Sequence, residues 1–387
     1  MPDAARFVLL PGQLYDGDGA LPRPGRAVIV EEGRILAVTS AEAAPAGLPR
    51  LRVPIAAPGF IDLQINGGDG VMFNDAPEPE TLARIARAAR RGGTAHLLPT
   101  FVTAPGRAYA AAMDAVRAAL RARLPGILGL HLEGPFLSPR RPGIHPPAAI
   151  RPIAPEDVAV LERGIGGPLL LTLAPEEVPP GTIARLAAAG LRVFAGHSEA
   201  TLEEVASAAD EGLRGGTHLY NAMSQLTGRG PGLVGALLGD DRLFAGLIAD
   251  GIHVHGQSLA LALRCKGARR LCLVTDAMAT LAAPDAAFTI NGKRIAQRGG
   301  RLADAEGRLA GAHLAMDEAV RNMIGMGGAT RAEALRMAST TPAAALGLGH
   351  ELGRVAPGYR ASLTLLDDDL EVLGVVVDGA TFLKDID

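Results

Sequence analysis

The chain has 387 residues, a length that suits one large α/β barrel with a minor domain better than one small domain. Hydrophobic residues make up 48% of it, and the net charge of −3 offers no basic field for nucleic acid or an anionic membrane. The two cysteines, Cys265 and Cys272, fit a reducing compartment. Since no apolar stretch approaches bilayer length, we expect a cytoplasmic protein with no membrane partner.

Both ends of the chain consist of short apolar runs separated by Gly, Pro and Asp. The first 55 residues contain RFVLLPG, GRAVIVEEGRILAV and LRVPIAA, and the last part contains ASLTLLDDDLEVLGVVVDG. Such runs are typical of strands and turns. They predict a small β-sandwich domain built from both termini, residues 1–56 and 350–387, around a barrel over residues 57–349.

The middle of the chain alternates apolar strand-like runs with helical stretches such as PETLARIARAARRGG. Strands are predicted near Phe60–Ile65, His96–Thr100, Ile127–Glu133, Leu169–Ala174, Val193–His197, Gly216–Leu219, Phe244–Asp250 and Leu271–Asp276. Eight strands with crossovers predict a closed (β/α)₈ TIM-like barrel. An open doubly wound sheet is the alternative, and it is disfavoured because no Gly-rich phosphate turn follows the first strand.

Three further elements are predicted after the eighth strand. FTINGKRI is typical of a hairpin with an Asn291-Gly292 turn. Helices are then expected at about Met316–Met326 and Arg331–Leu346.

The predicted strand ends carry polar side chains, which is costly unless these groups are paired or bind a ligand. They are Gln64 with Asn66, then Glu133, His197, His218, Asp250 with His253, and Asp276. In a closed barrel these ends converge on one mouth. Glu133, His197 and His218 form a two-histidine, one-carboxylate set, which is the ligand arrangement of a catalytic zinc that acidifies water. Taken singly, His197 is better explained as a cap of the following helix and His218 as a packed histidine, whereas the three residues together favour the metal site.

Asp276 is the candidate general base and acid for such a centre, with the capping of the next turn as its alternative role. His145, in RRPGIHPP, either polarises a carbonyl or is an ordinary exposed histidine. Arg229, in LTGRGPGLVG, and His253 are candidate phosphate ligands, although loop arginines are often only solvated. His131 is interpreted as a packed barrel histidine.

Seven segments, in their order and spacing, resemble the N-acetylglucosamine-6-phosphate deacetylases of the amidohydrolase superfamily. They are PGFIDLQINGGDGVMFND, HLEGPFLSPRRPGIHPP, AGHSEAT, THLYNAMSQLTGRGPGLVGA, ADGIHVH, LVTDAM and LAG, between about Pro58 and Gly311. The resemblance implies hydrolysis of the acetamide of N-acetyl-D-glucosamine 6-phosphate by a homodimer with one divalent metal ion. Zinc is the expected ion, with Fe²⁺, Co²⁺ and Mn²⁺ as alternatives.

The resemblance also implies residue roles. Glu133, His197 and His218 would bind the metal, Asp276 would be the base and acid, and His145 would bind substrate and polarise its carbonyl. The sugar phosphate would be held by a larger set: Asn221, Ala222, Arg229, Asp250, Gly251, Ile252, His253, Leu309, Ala310 and Gly311.

The first strand departs from a pattern common in the superfamily. Where many members have His-x-His for a second metal, this chain has Gln64-x-Asn66. Because neutral amides are weak ligands for zinc, we expect a single metal. The cyclic-amide hydrolases of the same superfamily bridge two metals with a carboxylated lysine at a strand end. None of the three lysines, Lys266, Lys293 and Lys384, ends a predicted barrel strand, so this class is excluded. An N-acetylgalactosamine-6-phosphate deacetylase and a non-catalytic sugar-phosphate-binding barrel remain as alternatives.

Overall fold

The computed structural model describes residues 6–19, 21–290 and 292–384. Strands from both ends of the chain build one separate sheet, as predicted. They are β1 (Arg6–Leu14), β2 (Arg23–Pro24), β3 (Arg26–Glu31), β4 (Arg34–Ser40), β5 (Arg50–Pro58), β19 (Leu363–Leu366), β20 (Val372–Val377) and β21 (Ala380–Leu383). The order is β21-β20-β19-β5-β1-β3-β4, with β2 beside β1. The two ends of the chain join where β5 pairs antiparallel with β19.

The apolar content of β1 follows from burial on both of its faces. Phe7 and Leu9 belong to one apolar cluster, while Val8 and Leu10 belong to another. Because successive strand side chains point to opposite faces, a strand covered on both sides is apolar throughout rather than alternating.

Eight parallel strands form the barrel in the described part of the chain. They are β6 (Phe60–Ile65), β9 (Thr94–Val102), β10 (Leu130–Glu133), β11 (Leu169–Leu173), β12 (Arg192–Ala195), β13 (Gly215–Gly216), β14 (Phe244–Leu247) and β15 (Leu271–Leu273). Consecutive strands pair in chain order, and a parallel bridge from Ile65 to Ala277 joins the first strand to the segment that follows the last. The predicted barrel is confirmed. A short hairpin of β7 (Gly67–Gly68) and β8 (Val71–Met72) follows the first strand.

Helices surround the barrel. They are α1 (Pro79–Arg91), α2 (Tyr109–Arg121), α3 (Pro155–Leu161), α4 (Thr182–Ala188), α5 (Leu202–Glu211), α6 (Gly232–Gly239), α7 (Gly256–Lys266), α8 (Met316–Gly325), α9 (Arg331–Ala338) and α10 (Thr340–Leu346), with short 3₁₀ turns at Pro147–Ala149 and Pro175–Glu177. In α1, Leu82, Ile85 and Ala89 are buried at helical spacing, so this face packs on the barrel. Among the helices described, none is both long and apolar enough to span a membrane.

The segment after the last barrel strand differs from the sequence prediction in two details. The hairpin β16 (Ala287–Ile290) and β17 (Lys293–Arg298) is present, but a third strand, β18 (Arg301–Ala303), extends it. Asn291 of the predicted turn lies outside the described residues. The helix predicted at Arg331–Leu346 is two helices divided at Ser339, because Pro342 supplies no N–H and its ring excludes a helical carbonyl one turn earlier.

Candidate active site

The carboxyl ends of the barrel strands open into a cavity of about 190 Å³. Ten of the site residues implied by the resemblance line it: Glu133, His145, His197, His218, Asn221, Ala222, His253, Asp276, Leu309 and Gly311. Asn66, Val102, Gly143, Ile144, Ile248 and Met278 complete the wall. The lining residues are spread over more than 240 residues of sequence, from Asn66 to Gly311. The barrel topology brings them together at one mouth.

Glu133, His197 and His218 present three ligand atoms within 4.8 Å of one another, and all three side chains are buried. The Nε2 atom of His218 lies 3.0 Å from Oε1 of Glu133 and 3.1 Å from Nε2 of His197. Lone pairs of three ligand atoms so close together repel one another unless a cation or shared protons lie between them. The donor set, two imidazoles and one carboxylate, is the one that divalent zinc and iron accept.

A backbone contact fixes the chemical form of His197. Its Nδ1 atom lies 2.8 Å from the carbonyl oxygen of Arg141, which can only accept a hydrogen bond. The proton is therefore on Nδ1, and the lone pair of Nε2 faces His218 and Glu133. Metal-binding histidines are commonly oriented in this way by a partner on the other ring nitrogen. The residues present fit a divalent cation.

Two of the three candidate metal ligands and the candidate base adopt the left-handed backbone region that non-glycine residues seldom occupy. The φ angles are +49° at His197, +37° at His218 and +49° at Asp276. His197 and His218 lie two residues beyond the ends of β12 and β13, and Asp276 lies three residues beyond the end of β15. The reversal therefore turns each side chain across the mouth. Backbone strain of this kind persists only where the surroundings enforce it, and it is concentrated at functional sites.

Asp276 lies beside the three-residue cluster and accepts hydrogen bonds from two amides. The Nδ2 group of Asn66 donates to its Oδ1 atom at 2.6 Å, and the Nε2 group of Gln64 donates to the same oxygen at 3.2 Å. Gln64 Nε2 also contacts Oε1 of Glu133 at 3.1 Å. Burial, reinforced by the charge of Glu133, raises the pKa of Asp276 to about 6. A carboxyl group tuned in this way suits both acceptance and release of a proton near neutral pH.

His145 and His131 lie in different surroundings. His145 contacts the cavity, and its Nε2 atom is 3.7 Å from Oε2 of Glu133. Burial, followed by the nearby His197, lowers the pKa of His145 to about 3, so the ring is neutral. His131 is held in the barrel interior between the hydroxyls of Thr100 and Thr172 at 3.1 and 2.8 Å. It is a satisfied, packed histidine, as interpreted from the sequence.

His253 is oriented by Asp250. The Nδ1 atom of His253 lies 2.6 Å from Oδ2 of Asp250, whose other oxygen accepts the backbone N–H groups of Ile252 and His253 at 2.8 Å. Both side chains are 7% exposed. Asp250 therefore lies outside the cavity lining and holds the His253 ring by Nδ1, while His253 itself lines the cavity.

Several residues implied by the resemblance do not line this cavity. Arg229 is exposed on its loop, Ala310 is buried beneath the cavity wall, and Asp250, Gly251 and Ile252 lie outside the lining. No arginine or lysine lines the cavity among the residues that the structure describes.

The sequence reasoning missed the hydrogen-bonding partners of the site. Gln64 and Asn66 were predicted at the mouth and interpreted as replaced metal ligands, but not as hydrogen-bond donors to Asp276 and Glu133. The carbonyl of Arg141 carries no sequence signal, because any residue supplies a carbonyl.

A parallel eight-stranded barrel with a carboxylate and two histidines at its mouth defines the class of amidohydrolase-type barrels. Residues 55–381 match the amidohydrolase family. The chain is 43% identical to an N-acetylgalactosamine-6-phosphate deacetylase of Shewanella sp. (strain ANA-3), with 83% of this chain and 81% of the relative covered. It is 39% identical to the N-acetylglucosamine-6-phosphate deacetylase of Haemophilus influenzae, with 83% and 84% covered.

A solved structure supports the same relationship. The N-acetylglucosamine-6-phosphate deacetylase from Pasteurella multocida superimposes with a TM-score of 0.94 at 35% identity, covering 98% of this chain and 100% of that one. The chain belongs to the amidohydrolase family, in the group that contains the N-acetylglucosamine- and N-acetylgalactosamine-6-phosphate deacetylases.

Proposed function

We propose that this protein hydrolyses the acetamide of an N-acetylhexosamine 6-phosphate, with N-acetyl-D-glucosamine 6-phosphate as the principal substrate. The products are acetate and the amino-sugar phosphate. The observation that carries the proposal is the position of Asp276, a buried carboxyl group with a raised pKa beside a cluster of three metal-ligand atoms. The relatives named for this activity add to that support.

Glu133, His197 and His218 would hold one divalent metal ion, with zinc as the expected species. Such an ion supplies Lewis acidity, which lowers the pKa of water and polarises a carbonyl. The amide nitrogens of Gln64 and Asn66 point at Asp276 and Glu133 as donors. A mononuclear site is supported by the residue types at these two positions, because neutral amides are much weaker ligands for zinc than imidazole.

Asp276 would move the proton in both halves of the reaction. It takes a proton from the attacking water as the water oxygen bonds to the acetyl carbon. When the carbon–nitrogen bond breaks, the same proton passes to the departing sugar nitrogen, so that the amine leaves neutral and the carboxylate is regenerated. Gln64 and Asn66 bind one oxygen of this carboxylate, which leaves Oδ2 for the transfer.

His145 would bind the acetyl group and stabilise the charge that develops on its oxygen. The imidazole is neutral and buried at the cavity wall, so it donates a hydrogen bond without bringing a second cation beside the metal ligands.

The remaining substrate would lie against Asn221, Ala222, His253, Leu309 and Gly311, with Asp250 orienting His253. A phosphate dianion is best held by arginine, yet Arg229 is exposed and outside the cavity of its own chain. We therefore propose a homodimer in which Arg229 is directed to the phosphate of a site at the subunit interface. A cytoplasmic location stays a prediction from the two cysteines, which are both free.

The experiment is acetate release by the metal-loaded protein from N-acetylglucosamine 6-phosphate, N-acetylgalactosamine 6-phosphate and unphosphorylated N-acetylglucosamine. We expect turnover of the first, with the free sugar a much poorer substrate because remote phosphate binding positions the amide. The galacto epimer is the second candidate, supported by the 43% identical relative. Equal turnover of the free and phosphorylated sugars would contradict the phosphate-binding part, and no acetate from either phosphate would contradict the function.

A further inference from the structure

The barrel closes at a seam between β6 and β15, where regular strand pairing is sparse. Its bridge joins Ile65 to Ala277, and three backbone hydrogen bonds accompany it. The N–H of Asp276 donates to the Gln64 carbonyl at 2.9 Å, and the N–H groups of Asn66 and Gly67 donate to the Ala277 carbonyl at 2.8 and 3.1 Å. Asp276 is itself part of this seam, since its backbone N–H donates across it. Its geometry therefore sets where that carboxylate points.

A buried carboxylate, Asp62, lies in this seam on the first strand. It is fully buried, and in each hydrogen bond that the structure describes for it, Asp62 is the acceptor. Its Oδ1 atom accepts from the backbone N–H groups of Gln64 at 3.1 Å and Thr275 at 3.2 Å, and its Oδ2 atom accepts from the Thr275 hydroxyl at 2.5 Å. Asp62 thus connects the first and last strands, 213 residues apart.

Thr275 extends this contact to both sides of Asp276. Its hydroxyl donates to Asp62 and accepts a hydrogen bond from the backbone N–H of Ala277 at 3.2 Å. The residues before and after Asp276 are therefore held by one chain of hydrogen bonds. Between them, Asp276 itself has a φ of +49°, in the left-handed region that non-glycine residues occupy at a cost in free energy.

We propose that Asp62, acting through Thr275, is a positioning residue that holds the left-handed turn of Asp276 and so aims the general base. The expected effect on kcat rests on the proposed function. The expected effect on the turn at Asp276 rests on the hydrogen bonds alone. Without the contact, the turn relaxes towards an ordinary φ and the Asp276 carboxylate shifts relative to the amides of Gln64 and Asn66. A shift of about 1 Å at a proton-transfer group costs on the order of a hundredfold in rate.

The test compares Thr275→Val, which removes the hydroxyl at constant shape, with Thr275→Ser, which keeps it. In metal-loaded protein, we expect Thr275→Val to lower kcat roughly tenfold to a hundredfold with KM and metal content unchanged, while Thr275→Ser stays within about threefold of wild type. A purely structural role would lower the melting temperature and leave kcat of the folded protein unchanged. Unchanged kcat in Thr275→Val, or loss of metal from it, overturns the proposal.

A double-mutant cycle with Asp62→Asn tests whether the two residues act through one contact. We expect the Asp62→Asn/Thr275→Val protein to be no slower than the slower single variant, since Thr275→Val already removes the hydroxyl through which Asp62 acts. If the loss in kcat of the double variant equalled the product of the two single losses, Asp62 would not act through Thr275. If Asp62→Asn does not fold, the comparison of Thr275→Val with Thr275→Ser alone tests the proposal.

Hydrogen exchange separates this proposal from the proposed function. The backbone amides of residues 275–277 are hydrogen-bonded in the seam, so we expect slow exchange in wild type and in Thr275→Ser. Exchange in this segment should accelerate in Thr275→Val, while distant strands keep their protection. That result would support the positioning contact even if wild type released no acetate. Equal exchange in the Val and Ser variants would overturn it.

Discussion

At the scale of single residues, the site is organised by hydrogen bonds that fix protonation and direction. The carbonyl of Arg141 fixes the tautomer of His197, and the amides of Gln64 and Asn66 hold one oxygen of Asp276. The amides of Gln64 and Asn66 are side-chain groups that the sequence shows, whereas the backbone carbonyl of Arg141 is a group that every residue has. The positions of the ligand residues could therefore be predicted, whereas their chemical states required the fold.

Replacing Asn66 with leucine tests the role of its amide. The Nδ2 group donates to the charged form of Asp276 at 2.6 Å, which lowers the carboxyl pKa relative to burial alone. We expect Asn66→Leu to raise that pKa, so the acidic limb of kcat/KM moves upward by about one pH unit. The pH–rate profile of metal-loaded wild type and variant checks this, and coincident acidic limbs would refute the role assigned to the amide.

At the scale of elements, the seam and the strand ends show what the sequence pattern predicts and what it leaves out. The apolar runs of β6 and β15 predict two strands, because short β-branched and leucine-rich runs bounded by turn residues are typical of buried strands. They do not predict that Asp62 and Thr275 meet, since that contact depends on closure between residues 213 positions apart. The third strand of the inserted sheet, β18, was missed because it has three residues.

The glycine strand β13 gives a stability prediction at this scale. A Cβ atom at Gly215 would lie 2.5 Å from the backbone carbonyl oxygen of Phe244, on the neighbouring strand β14. We expect Gly215→Ala to destabilise the protein by on the order of 1–3 kcal/mol, because backbone cannot yield as a side-chain tip can. The melting temperature should fall relative to wild type.

Gly239→Ala is the matched control for that substitution. Gly239 ends α6, and a Cβ atom there meets no atom within 4 Å. Its melting temperature should remain close to that of wild type. Equal melting temperatures for the two variants would show that β13 tolerates a side chain and that the close approach to β14 is not limiting.

At the scale of the whole molecule, the terminal sheet and the barrel are joined by polar as well as apolar contacts. His96, on barrel strand β9, lies 2.8 Å from the hydroxyl of Ser362, which also contacts Asp378 next to β20. Val375 and Val377 of β20 pack against Ala95 of the barrel. The association of both chain ends with each other could be predicted from their shared β pattern, but these joining residues could not.

The buried His96 makes this junction sensitive to acid. Burial lowers its pKa to about 4, whereas the unfolded chain takes up the proton near pH 6.5. Between these values the unfolded state binds more protons, so the free energy of unfolding falls as pH drops from about 6.5 to about 4. His96→Gln removes the titrating group and should give a shallower pH dependence in denaturant titrations at several pH values. An unchanged slope would contradict this contribution of His96.

The central claim is that Asp276 serves a metal-dependent deacetylation at the barrel mouth. The most direct measurement is acetate release from N-acetylglucosamine 6-phosphate by wild type and Asp276→Asn, loaded with the same divalent metal to the same measured content. We expect rapid release by wild type and a loss in kcat on the order of 10²- to 10⁴-fold in the variant, because asparagine cannot accept the proton. An Asp276→Asn protein that kept wild-type kcat at equal metal content would contradict the account.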